Sequence, residues 1–192
     1  MVTIRDEKIS DIAAREALLD IAYGAERFTK TSERLRERRL PADRLSLVAV
    51  DNGQIIGTVR LWHVTAGPGR AALLLGPLAV HPEHRNRGIG SALMRRAVAR
   101  ARMLGHRVIL LVGDAPYYDR FGFTSAQTGD LWMPGRCDRD RLLALELQPG
   151  YLPGARGMIG AAGDLVATPG LAALVARERR NERSRIRRSH AA

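Results

Sequence analysis

The run Arg85-Asn86-Arg87-Gly88-Ile89-Gly90-Ser91 sets glycines, arginines and a hydroxyl between an apolar stretch, Leu73 to Val80, and a helix-like segment that reaches Leu104. A strand, a donor-rich turn and a helix start, in that order, make a cradle for an anion. Glycine has no Cβ, so the backbone can approach an oxyanion closely; the free N–H groups of the helix start aim at it, and the arginines add charge. That is the chemistry of a pyrophosphate site. Spacing excludes two common versions of it. A dinucleotide fingerprint requires Gly-x-Gly-x-x-Gly, but Leu93 stands at the third position. A P-loop requires Gly-Lys-Ser/Thr, which occurs nowhere in the chain.

The elements that must position this turn can be read on either side of it. Val2 to Arg5 forms a first strand, and Asp11 caps a helix whose Ile12, Leu18, Leu19 and Ile21 recur at helical spacing. Thr29 to Arg39 reads as a second, highly charged helix stopped by Pro41. Leu45 to Val50 and Gln54 to Trp62 are strands joined by Asp51-Asn52-Gly53, whose Asn-Gly step is the strongest hairpin signal in the chain. After Gly67-Pro68-Gly69 the strand Ala71 to Val80 is interrupted by Gly76-Pro77; proline removes a ladder donor, which implies an edge, a bulge or a splayed strand. Leu93, Met94, Ala97, Val98, Ala101 and Leu104 share one face of the helix from Gly88 to Leu104, with Arg95, Arg96, Arg100 and Arg102 on the other. Gly105 ends it, and Arg107 to Val112 is a strand buried on both faces. A short helix over Ala115 to Phe121 and strands over Phe123 to Ala126 and Leu142 to Leu147 follow. Pro149 to Gly170 carries little pattern, and Leu171 to Arg188 is compatible with a helix.

Composition limits what kind of protein carries the turn. A chain of 192 residues, 45% hydrophobic, suits one ordinary core: a single domain over residues 1–170 and a basic C-terminal helix or tail over 171–192. No apolar run is long enough to span a membrane, and the N-terminus lacks the basic-then-apolar order of a signal peptide, so the sequence reads as cytoplasmic. The lone Cys137 has neither a disulfide nor a metal partner of its own type and no activating base beside it. No metal site is expected. The net charge of +11 invites a nucleic-acid partner, yet seven arginines against two glutamates fall within residues 177–192, without interleaved aromatics for base stacking. Nucleic acid is therefore not the expected ligand.

One family fits the motifs in order. Gly76-Pro77-Leu78-Ala79-Val80-His81-Pro82, then Arg85-x-x-Gly88-x-Gly90, then Tyr118-Asp119-Arg120-Phe121-Gly122-Phe123 resembles the GNAT N-acetyltransferase superfamily, whose acetyl-CoA site is built on an Arg/Gln-x-x-Gly-x-Gly/Ala turn. The run from Gly113 to Phe123 is similar, more narrowly, to the YhbS-type bacterial acetyltransferases. The resemblance covers about residues 45 to 125. It implies an α/β (α+β) fold: a mixed, mostly antiparallel twisted sheet of roughly six to seven strands with helices on both faces and splayed central strands. It implies acetyl-CoA as co-substrate and a primary amine as acceptor, attacked directly. Leu78, Ala79 and Val80 would meet the pantetheine arm; Arg85, Asn86, Arg87, Gly88, Ile89, Gly90 and Ser91 the pyrophosphate. Asp114, where the superfamily often has Asn, and Phe121 would lie along the cofactor groove. Tyr118 would be the general acid for the departing thiolate, and a backbone N–H near Val80 the oxyanion donor.

The base that takes the acceptor's proton is not marked; His63, His81, Glu83, His84 and Asp114 are the candidates. Acceptor specificity is expected from Tyr23 to Arg39, Trp62 to Gly69 and Gly129 to Arg139, with Trp132 and Met133 walling an apolar pocket. The acceptor itself, the length of the acyl group and a homodimeric state are open. Two rival readings are a nucleic-acid-associated basic protein and a non-catalytic, acetyl-CoA-binding regulator on the same fold.

Overall fold

A computed structural model describes residues 1–167, so the expected C-terminal helix and the arginine-rich segment lie outside the described residues. Strands β1 (Thr3–Asp6), β2 (Ser46–Asp51), β3 (Gln54–Thr65), β4 (Ala71–Val80) and β5 (Val108–Val112) build the sheet, with helices α1 (Ile12–Tyr23) and α2 (Ile89–Met103) between them. Helix α3 (Ala115–Tyr118) is followed by β6 (Leu131–Trp132), β7 (Leu142–Glu146), β8 (Gly157–Met158) and β9 (Gly160–Ala161). The main sheet runs β1-β2-β3-β4-β5-β7, with β9 added beside β3, while β6 and β8 pair separately. Every pairing in the main sheet is antiparallel except β4 with β5.

Period-two alternation assigns each strand's side chains to two cores. Leu61, Leu73, Leu75, Ile109, Leu111 and Leu143 face α2 and meet its Leu93, Met94, Ala97 and Ala101. Their neighbours Trp62, Ala72, Leu74, Val108, Leu110 and Leu142 face the opposite side, under Leu131, Met133, Leu152 and Ile159 from the C-terminal segment. Both faces are covered, which is why β4 and β5 read as unbroken apolar runs. Helix α1 joins the second face and closes Leu18 and Leu19 over Ala79. The Asn52-Gly53 turn takes left-handed φ angles of 48° and 80°, as a two-residue hairpin of this twist requires.

Three expectations need correction. The helix over Thr29 to Arg39 is instead two short 3-10 turns, Ala25–Thr29 and Thr31–Leu35, parted at an extended Lys30. Side chains there bond outside a helix: the Thr29 hydroxyl donates to the Glu26 carbonyl, and that of Thr31 to the Arg136 carbonyl at 2.6 Å. Phe123 to Ala126 is no strand but a single bridge, Thr124 to Ala144, because the Ala126 N–H turns back onto the Thr124 hydroxyl. Asp11 does not cap α1 forward. Its carboxylate reaches back to the Lys8 N–H at 2.7 Å and accepts both guanidinium nitrogens of Arg5, at 2.6 and 3.0 Å.

Those donors, the Arg5 hydrogen bond foremost, hold the Asp11 pKa down at about 2. A carboxylate depressed in the folded state contributes stability that is complete above the unfolded value near 4 and is lost as pH falls through the folded value. Asp11→Asn should therefore cost about 1–2 kcal/mol at neutral pH. Urea midpoints of wild type and variant should converge as pH falls from about 4 toward 2, and a gap that persists at pH 2 would contradict the assignment.

Candidate active site

Strand β4 pairs with β3 along its length, but with β5 only at Leu73 with Ile109 and Leu74 with Leu110. Beyond Leu74 the two strands part, and a cavity of about 530 Å³ opens in the gap, lined by Leu78 and Val80, the end of β5 and Gly90 of α2. The register of β4 on β3 slips where the gap begins: Leu61 faces Leu75, whereas Val59 faces Leu78. Gly76 and Pro77 form the extra length, so the proline sits in a bulge and interrupts no central ladder. The indole N–H of buried Trp62 donates to the Gly76 carbonyl at 2.6 Å and pins that bulge.

Ladder geometry decides which backbone groups face the cavity. The His81 N–H donates to the Ile56 carbonyl at 2.9 Å. Counting back with two-residue alternation turns the groups of Ala79 toward β3 and those of Leu78 and Val80 toward the gap. The Tyr23 hydroxyl donates to the Leu78 carbonyl, as that orientation demands. Ala79 thus stands apart from its expected partners: its backbone belongs to the sheet and its methyl to α1.

At the far end of the gap, Asn86 and Gly88 adopt φ of 61° and 75°, reversing the chain into α2. The first helical bond is Ala92 N–H to the Gly88 carbonyl, so the N–H groups of Ile89, Gly90 and Ser91 have no intrahelical acceptor. They and the positive end of the helix dipole can take an anion. Arg85, Asn86 and Arg87 are exposed around this end; Arg87 also approaches Asp51 at 4.0 Å. Ile89 is buried against the sheet and anchors the turn. Gly90 admits the Tyr117 hydroxyl, which would lie 3.0 Å from a Cβ at that position.

Tyr118 closes the cavity from the β5 side. Its ring rests against Gly113, where a Cβ would fall 2.2 Å from the Tyr118 Cε2, and it packs edge-on against Tyr117 and Phe123. Burial, and then the neighbouring Tyr23 and Tyr117 hydroxyls, push its pKa above that of an ordinary phenol, so it keeps its proton. Asp114 lines the rim, and its carbonyl accepts the Tyr117 and Tyr118 N–H groups at 3.0 and 3.3 Å to start α3. Phe121 is turned away, against Tyr117 and beneath the guanidinium groups of Arg95 and Arg120.

Among the five candidate bases only Asp114 lines the cavity. His63 packs at a tilt against His106 elsewhere, with ring centroids 5.6 Å apart, and His81 and His84 pack against each other beside β4. Trp132 and Met133 do not wall the cavity either: Trp132 is exposed on the β6–β8 ribbon and Met133 is in the second core. Arg141, whose carbonyl accepts the Gly113 N–H at 2.9 Å, lines the cavity beside β5; another wall comes from the two 3-10 turns, with Tyr23, Lys30, Glu33 and Arg36. It is tied to the later segment by Thr31 to the Arg136 carbonyl and by Arg34 to the Pro134 carbonyl at 2.8 Å. Arg36 was hidden in sequence by the charge density around it; only its burial, 8% exposed, distinguishes it.

The acetyltransferase (GNAT) domain family matches residues 42–125. The N-acetyltransferase YhbS of Escherichia coli is 32% identical over 130 residues, covering 67% of this chain and 77% of its own length. The chain belongs to the GNAT acetyltransferase family. A crystal structure of E. coli YhbS in complex with CoA superposes with a TM-score of 0.71 at 28% identity, covering 84% of this chain and 89% of that one. A GNAT acetyltransferase from Brucella melitensis in complex with acetyl-CoA gives 0.65 at 28% identity, covering 84% and 96%. The E. coli N-acetyltransferase YjhQ is 35% identical over 82 residues, and the chain spans only 45% of that relative's length. The GNAT match contains β2 through α3, hence the splayed edge, the α2 start and Tyr118. Tyr23, Lys30, Arg36 and Arg141 fall outside it.

Gly113 is the position at which the floor of this GNAT cavity is most sharply constrained. Gly113→Ala should shift the Tyr118 ring and destabilise the fold by about 1–3 kcal/mol, the range for overpacking. The urea midpoint and the near-ultraviolet tyrosine signal report it, and an unchanged signal would show that the ring does not rest on this residue.

Proposed function

We propose that this GNAT chain is an N-acetyltransferase that moves an acetyl group from acetyl-CoA to a primary amine by direct attack, with Tyr118 as general acid. One observation carries the reading: the splayed β4 edge, the α2 start and a half-buried, protonated tyrosine converge on one cavity. The residues fit the co-substrate. The gap-facing groups of Leu78 and Val80 suit an extended amide chain laid along β4 as a further strand. The N–H groups of Ile89, Gly90 and Ser91, with Arg85 beside them, suit a pyrophosphate. CoA and acetyl-CoA in the two structural relatives support this placement.

Acetyl-CoA supplies an activated thioester carbonyl, so that a C–N bond forms as the C–S bond breaks, the amine gives up a proton and the sulfur gains one. The chain's own part is positioning and proton supply. Tyr118 Oη is half-buried in the cavity wall, and its raised pKa keeps its proton in place. A group that must act protonated, and whose pKa is raised, stays competent to higher pH. A gap-facing backbone N–H near Val80, that of Leu78, is the donor for developing negative charge on the carbonyl oxygen.

Free-thiol release from acetyl-CoA across a panel of primary amines tests the activity, and a panel with no turnover at any amine rejects it. Tyr118→Phe should lower kcat about 10²-fold or more with little change in acetyl-CoA affinity. Since an ordinary phenol titrates near 10, the wild-type rate should show no tyrosine-dependent fall below about pH 10. Equal kcat in the variant removes the acid role.

A further inference from the structure

The cavity does not stop at the proposed acetyl-CoA track. Counted from α2, that track runs from Val80 to Leu78 and on toward Gly76, and at Gly76 it meets Arg36. The Arg36 guanidinium is buried, and burial pulls its pKa below the usual arginine value. Nη2 is engaged by Glu33 at 2.8 Å and by the Ser32 hydroxyl at 3.3 Å. The other nitrogens are not so occupied among the described residues: Nε is buried without a hydrogen-bond partner, and Nη1 lies over Gly76, 3.9 Å from where a Cβ would stand. A buried cation with free donors is costly unless a ligand completes it.

Its surroundings reinforce the same charge. Lys30 stacks on the Tyr23 ring at 4.3 Å, and its pKa is lowered by burial and by the nearby charges of Arg36 and Arg141. Arg27 on the same wall is neutralised by Glu16 and Asp20, so it does not count toward the excess. Lys30, Arg36 and Arg141 therefore face Glu33, already bound to Arg36, and Asp114 at the opposite rim. A polycationic acceptor would meet repulsion here; a carboxylate would find the open Nη1 of Arg36.

We infer that the acceptor is a small primary amine that also carries a carboxylate, bound by Arg36 Nη1 at the Gly76 end of the cavity with Lys30 and Arg141 as supporting cations. Gly76 and Leu78 are two strand residues apart, about 7 Å, so the carboxylate and the nucleophilic nitrogen belong to one short molecule, such as an amino acid. This rests on the acetyl-transfer reading above and narrows its acceptor. Tyr23, Lys30, Arg36 and Arg141, which make the selection, lie outside the segment that the family model matches, residues 42–125.

The test compares kcat/KM, by thiol release with acetyl-CoA, for amino acids, their carboxamides, the matching amino phosphates and a lysine-rich peptide. Wild type should favour a carboxylate acceptor over its carboxamide by at least about tenfold, the scale of one charge-assisted hydrogen bond. Arg36→Met should raise KM for the carboxylate acceptor about tenfold or more and leave the carboxamide nearly unchanged, while Arg36→Lys should restore part of the preference. If Arg36→Met does not fold, Lys30→Met and Arg141→Gln should each reduce the wild-type preference, and the wild-type comparison stands alone. No thermal shift with acetyl-CoA and no turnover with any amine would defeat the underlying reading. Turnover without carboxylate preference, stronger use of the amino phosphate or peptide, or a preference retained when Arg36 is replaced would overturn this inference and leave that reading intact.

Discussion

The separation of β4 from β5 after Leu74 is the constraint on which the rest of the molecule depends. Up to that residue the strands share a parallel ladder and two cores; beyond it, Leu78 and Val80 present backbone groups with no strand opposite. A central strand with an open edge is normally a liability, and it persists only because something on each side holds it. The Gly76-Pro77 bulge lets the strand turn, the Trp62 indole fixes the bulge, and Tyr23 occupies the Leu78 carbonyl. Helix α2 then closes one end of the gap and Tyr118 the other side. The chemistry proposed for the chain follows from a defect in its own sheet.

Much of this was legible in the sequence because it is carried by short-range signals. Gly88 and Gly90 announce the α2 start, Asn52-Gly53 the hairpin, and Pro77 the break in β4, each through a local backbone requirement. The alternatives left by Pro77 resolve into a bulge with a splayed continuation. The wall that carries Lys30 and Arg36 was not legible. Its residues lie in a stretch so rich in charge that a solvated helix was the natural reading, and the reason it is not one is tertiary: Thr31 and Arg34 bond to carbonyls of residues 136 and 134. Nothing within a helical window records a partner that is a hundred residues away.

Trp132 and Met133 make the complementary point. Their apolar character marked them as pocket walls, yet one caps a two-stranded ribbon and the other fills a core. Arg36 and Tyr23, polar at their tips, form the wall instead. Composition tells which residues leave water, but it does not say which space they leave it for. Leu78, Val80, Gly90 and Tyr118 of the cavity lie within the segment that the family model matches, and Tyr23, Arg36 and Arg141 flank it on either end.

Gly57 gives the assembly its scale. A Cβ at this point of β3 would stand 3.0 Å from Leu93 and 3.1 Å from Ile89, so α2 rests directly on bare backbone. Since Ile89 also begins the helix, the height of the amide cluster above the β4 edge is set by an absent methyl group on the adjacent strand, directly opposite Val80. The spacing between the two halves of the cradle is thus a property of the core, and any residue that thickens the core there lengthens the reach a bound molecule must make.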